Sequence, residues 1–178
     1  MIQRIRQFYW AIFGKIDARS YAFIRCYLTG DEQTLFYAMH PSDRLHSLYV
    51  AVTAKEIYRK ERILSSDEYI FLIRCALLHD IGKTKGTIGV WGKVLSVLVS
   101  RFYPAIIPIF IAKKDYRGIR GRIGTAFYVY CRHPKIGAEK LRAIGCNKEA
   151  DIVEQHQKKE VPQDSPVLSI LKRADSYN

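Results

Sequence analysis

Ala76-Leu77-Leu78-His79-Asp80-Ile81-Gly82-Lys83 is the stretch on which the reading of this chain turns. An apolar run ends in an imidazole and a carboxylate side by side, and a glycine and a lysine follow closely. Upstream, Ile70, Phe71, Ile73, Leu77 and Leu78 predict a deeply buried helix over 67–79, capped by Ser66 and ended by Gly82 and Gly86. Two ionisable side chains at the end of a buried helix are costly unless they are paired or bind a metal. Imidazole and carboxylate together suit a divalent transition metal such as Mn, Fe or Zn. A carboxylate can also bridge two such ions.

Outward from this stretch, the long segments carry helical period and there is little sign of β-structure. Helices are predicted over 3–14, 18–28, 31–39, 41–60, 90–112, 124–132, 134–144, 147–158 and 166–176. The helix at 18–28 stops near Gly30. Asp31 and Asn147 are read as N-caps, Pro41-Ser42-Asp43 and Pro134 as helix openings, and Gly145 as a closing residue. The predicted fold is all-α, with residues 41–178 as one domain and 1–40 as a helical extension packed on its core. Of the five histidines, His40 reads as an ordinary satisfied residue. His46, His79, His133 and His156 each lie on or beside a different predicted helix.

At this point a resemblance emerges. His46, then His79-Asp80, then Asp175 resembles the H…HD…D signature of the HD-domain superfamily, and residues 77–83 resemble its HDIGK form. Arg44-Leu45-His46-Ser47 is similar to that family's first-histidine helix, and Lys172-Arg173-Ala174-Asp175 to its closing segment. His133-Pro134-Lys135-Ile136-Gly137-Ala138 and Ile152-Val153-Glu154-Gln155-His156 resemble segments of members that hold two metals. The resemblance covers about 41–178. It implies an HD-type helical bundle with a helical insertion at about 87–123, and a metal-dependent phosphohydrolase with one or two divalent ions. His46, His79, Asp80 and Asp175 would hold the first ion. Asp80 would bridge to a second, completed by His133 and His156. The implied reaction is cleavage of a phosphomonoester or phosphodiester, with a nucleotide as the favoured substrate, by a metal-bound hydroxide. Asp80 and Lys83 are then the catalytic candidates, and Lys83, Arg44 and Lys135 the phosphate contacts. Gln157 stands where the HD-GYP phosphodiesterases carry a second consecutive histidine, and their glycine-tyrosine-proline motif is missing. Both departures speak against cyclic di-GMP hydrolysis.

Bulk composition fits this reading without selecting it. The 178 residues are 48% apolar and 26% charged, enough to build a core. A net charge of +12 favours anionic partners: phosphorylated metabolites, nucleic acid or an acidic membrane surface. Cys26, Cys75, Cys131 and Cys146 form no CxxC pair, which suggests a reducing, cytoplasmic setting. The basic N-terminus lacks the features of a signal peptide and reads as an amphipathic helix. The apolar segment 90–112 could span a bilayer by length, but Lys93, Arg101, Pro104 and Pro108 argue for an insertion that packs over the core or lids the site. Peripheral contact with an anionic membrane, through the N-terminal helix and the basic run 113–122, is the lesser option. The competing function is a binding module: an HD fold that senses a nucleotide or an anionic surface and keeps its metal for structure.

Overall fold

The computed structural model describes residues 16–83 and 118–178, with side chains from 128 onward in the second stretch. The described part is all-α, with no strand. Seven helices follow in order: α1 (Ala18–Tyr27), α2 (Gly30–Ala38), α3 (Pro41–Glu61), α4 (Ser66–Leu78), α5 (Gly118–Ala143), α6 (Asn147–Gln155) and α7 (Pro166–Tyr177). The readings over 3–14, 87–112 and Gly86 lie outside the described residues. No helix among the described residues is long and apolar enough to cross a membrane.

α4 is the central element. Leu72, Ile73, Cys75, Ala76, Leu77 and Leu78 are all fully buried. α3, α6 and α7 pack against it, and α1 and α2 close over the same core. Ile24, Leu28, Phe36 and Met39 from the N-terminal pair belong to the same buried cluster as Leu77, Leu141 and Ile170. A helix buried on most of its surface needs apolar residues all round, which explains the near-continuous run before His79.

Several helix ends differ from the sequence reading by a residue or two. Ser65, not Ser66, caps α4, and Glu68 returns the bond to the Ser65 backbone N–H in a full capping box. Thr29, not Asp31, caps α2 in the same way with Glu32. Cys146 holds the cap position of α6, where Asn147 was expected. His40 caps α3, its Nδ1 accepting from the Ser42 amide, so its expected role outside the metal site has a physical basis. The largest correction concerns Pro134. It does not open a helix: it lies inside α5, which runs through the break expected between 132 and 134.

Candidate metal centre

Six side chains from five helices converge at one end of α4. His79 is the C-cap of α4 and Asp80 follows it. α3 delivers His46, α5 His133, the end of α6 His156 and α7 Asp175. The His46 and Asp175 side chains, 129 positions apart, meet with Nε2 3.0 Å from Oδ1. The Asp80 carboxylate lies 3.8 Å from His46 Nε2, 3.6 Å from His79 Nε2 and 3.2 Å from His133 Nε2. His79 Nε2 is also 3.6 Å from Asp175. The His156 ring sits 5.1 Å from that of His79 and 5.3 Å from that of His133, centroid to centroid. His79, Asp80, His133 and His156 are buried, whereas His46 and Asp175 line the open side.

Three of the imidazoles are held by one device. Nδ1 of His79 donates to the Ala76 carbonyl at 2.8 Å, that of His133 to Tyr130 at 2.7 Å, and that of His156 to Val153 at 2.7 Å. A carbonyl can only accept, so each Nδ1 carries a proton and each Nε2 is turned towards the cluster. The carbonyls are available for a reason. Ala76 and Val153 lie in the last turns of α4 and α6, where carbonyls have no intrahelical donor. Tyr130 lies in mid-helix, but its partner at i+4 is Pro134, which has no N–H. The proline thus frees the carbonyl that orients the histidine beside it.

The three Nε2 atoms are buried and have no hydrogen-bond partner. Orphaned buried polar atoms are rare, and ion binding is one of the standard explanations. His46, His79 and Asp175 offer ligand atoms within 4.8 Å of one another, and so do His79, Asp80 and His156. The two triads share His79. The donor set of imidazoles and ionised carboxylates fits a divalent transition metal, and histidines whose other nitrogen is tied to a carbonyl are the usual form of metal ligand.

The electrostatics sort the groups. Burial disfavours every charge here, so the partners decide. At His156, burial and then the neighbouring His79 and His133 push the pKa down to about 3. His133 is lowered as well, by burial and then by Lys83. At His79 burial is outweighed by the Asp80 and Asp175 carboxylates, which hold the ring up to about 9. Asp80 stays well below the ordinary carboxylate range, because Lys83 and His79 outweigh its burial. Asp175 is lowered against its burial by the bond with His46 and by the charge of His79. The site therefore offers neutral imidazoles at His133 and His156 and anionic oxygens at Asp80 and Asp175.

Lys83 reaches the site, but its partner is Asp80, 2.8 Å away. Burial would lower its pKa, yet Asp80 and Asp43 hold it raised. Asp43, buried near the start of α3, was read from sequence only as part of a helix opening. Two other phosphate candidates lie on the ligand-bearing helices α3 and α5. Arg44 lies over the Tyr37 ring at 5.9 Å, and Lys135 is exposed on α5.

Gly82 also has a role the sequence reading missed. A Cβ on it would collide with the backbone of His133, so only glycine lets the turn after His79-Asp80 lie against α5. Gly137 packs less tightly against the same turn, where a Cβ would lie 3.3 Å from Gly82 N and 3.2 Å from the Val153 side chain, and Lys140 Nζ donates to the Ile81 carbonyl at 3.0 Å. The signal available in sequence was the place of Gly82 in the motif, which reads equally well as helix termination.

Comparison with protein-family models, curated proteins and solved structures returned no match.

Proposed function

We propose that this chain is a metal-dependent phosphohydrolase of the HD superfamily, acting on a phosphomonoester or phosphodiester of a nucleotide. One observation carries the reading: three buried Nε2 atoms, each fixed by a carbonyl behind it, stand without partners around an ionised Asp80. His46, His79, Asp80 and Asp175 would hold one ion, and Asp80, His133 and His156 a second. Ions held there supply charge to phosphoryl oxygens and make water nucleophilic near neutral pH.

The chain's own groups do the rest. Asp80 keeps its negative charge because Lys83 stands beside it. The Lys83 ammonium is partly exposed, so it can offer donors to a phosphoryl oxygen as charge develops there. His46 and Asp175, on the open side, form the rim over which a phosphate enters. The carbonyl-anchored rings hold their positions without reorganising, which is the basis of electrostatic preorganisation.

Elemental analysis of the purified chain, joined to a screen of phosphoesters that includes p-nitrophenyl phosphate and nucleotides, tests the proposal. One or two Mn, Fe or Zn ions per chain and metal-dependent turnover are expected. Asp80→Asn is expected to lower turnover by more than about 100-fold, beyond what loss of an outer partner costs. A metal-loaded chain that turns over no member of the panel, and binds nucleotide or anionic surface equally well as Asp80→Asn, would point to the binding module instead.

A further inference from the structure

A cleft of about 500 Å³ opens directly beside the cluster, and His156 and Asp175 form part of its wall. That volume is within the range of small-molecule sites, well beyond what a lone phosphate needs. A phosphoryl group seated at the cluster would therefore extend its organic part into this space.

The polar groups of the wall divide into those already engaged and those free to meet a ligand. Lys172 donates to Asp164 at 2.6 Å. Arg173 makes a two-pronged bond to Glu61, each arm 2.7 Å. Glu160 accepts from Ser169 at 2.6 Å. Among the described residues three groups are left: the Tyr130 ring, the Gln157 amide and the Lys158 ammonium, the last being the cleft cation that no carboxylate there engages. Tyr130 is tied to the chemistry as well, since its carbonyl orients His133 and its ring lies 6.5 Å from that imidazole.

We propose that these three residues select the substrate: its organic part carries an aromatic ring that stacks on Tyr130 and a second anionic group that Lys158 neutralises, while Gln157 reads the ring edge. An aromatic face accepts any planar base by stacking, and a carboxamide supplies both a donor and an acceptor for the heteroatoms of such an edge. The substrate class is a nucleotide bearing charge beyond the phosphate that is cleaved. The inference rests on the phosphohydrolase reading and narrows it. It also adds Lys158 to Arg44 and Lys135 as a candidate phosphate contact.

The test is steady-state kinetics of the full, Mn-loaded chain on ATP, AMP, ribose 5-phosphate and p-nitrophenyl phosphate. ATP is expected to exceed ribose 5-phosphate in kcat/KM by about tenfold or more, the range that one base stack supplies. Tyr130→Leu should erase about tenfold of that preference through KM, and Tyr130→Phe should restore it. Lys158→Ala should cost about threefold on ATP relative to AMP, a typical value for one exposed charge pair. Equal kcat/KM for ATP and ribose 5-phosphate, or a preference that Tyr130→Leu leaves intact, overturns the cleft assignment while the hydrolase reading stands. If none of the four is turned over, the hydrolase reading fails by itself. Fluorescence anisotropy of a labelled ATP then decides the cleft: a Kd about tenfold weaker in Tyr130→Leu supports it, and an unchanged Kd overturns it.

Discussion

His133 owes its orientation to the residue that follows it. With no N–H at Pro134, the Tyr130 carbonyl is left to the imidazole. Pro134→Ala would return an amide to that position and set it in competition with Nδ1 for the same oxygen. The expected result is a metal affinity about 10-fold lower or more, as for loss of an outer partner, with a thermal midpoint equal to or above that of the parent. Calorimetric metal titration beside a melting curve measures both. An unchanged affinity with a lowered midpoint would mean that the proline serves the helix and not the ligand. Gly82→Ala tests the neighbouring contact. The added methyl meets the His133 backbone, which cannot yield as a flexible side-chain tip would. A loss of about 2–4 kcal/mol in urea unfolding is expected, in the range of overpacking in a tight core, together with loss of one bound ion where two are present.

Arg74 shows how one element organises its neighbours. From the outer face of α4 it donates to Glu32 of α2 at 2.6 Å and lies 3.0 Å from Glu149 of α6. Glu32 is fully buried; burial would raise its pKa, but the Thr29 amide and Arg74 outweigh that and hold it lowered. A carboxyl with a depressed folded pKa contributes stability that is present above its unfolded value of about 4.5 and lost as the pH falls through the folded value. Arg74→Leu should cost about 3–5 kcal/mol at neutral pH, because two buried carboxylates lose their counter-charge. The gap to the parent should narrow as the pH is lowered from 7 towards 4, since protonation relieves the unpaired charge. Urea denaturation at several pH values measures this, and a gap independent of pH would assign the loss to packing of the Arg74 stem. The cap positions of α2, α4 and α6 belong to this scale too. Ser65 and Ser66 are adjacent and chemically identical, so propensity alone does not choose between them; the return bond from Glu68 to the Ser65 amide does.

For the whole molecule, five helices meet at the cluster, so an ion bound there would couple its binding to folding. An ion held by α3, α4, α5, α6 and α7 at once binds the folded chain alone. At a free concentration one hundred times its Kd it adds about 2.7 kcal/mol, which for a chain of this size raises the midpoint by about 5–10 °C. A thermal shift titration with Mn or Zn should show this in the parent and lose it in Asp80→Asn. A shift that persists in that variant would place the ion elsewhere.

The amino-acid sequence by itself determined the helical class, the burial of α4 and the identity of the six candidate ligands. Apolar period and the placement of His79 and Asp80 after a buried run are local properties of the chain. The tertiary structure alone decided that His46 and Asp175, 129 positions apart, lie in hydrogen-bonding contact. It also decided that Pro134 continues a helix, that Gly82 permits a close approach, and that Tyr130, Gln157 and Lys158 line one cleft beside the cluster. The physical reason is that direction and distance between remote side chains are set by how helices cross, and a crossing depends on every contact along both helices at once.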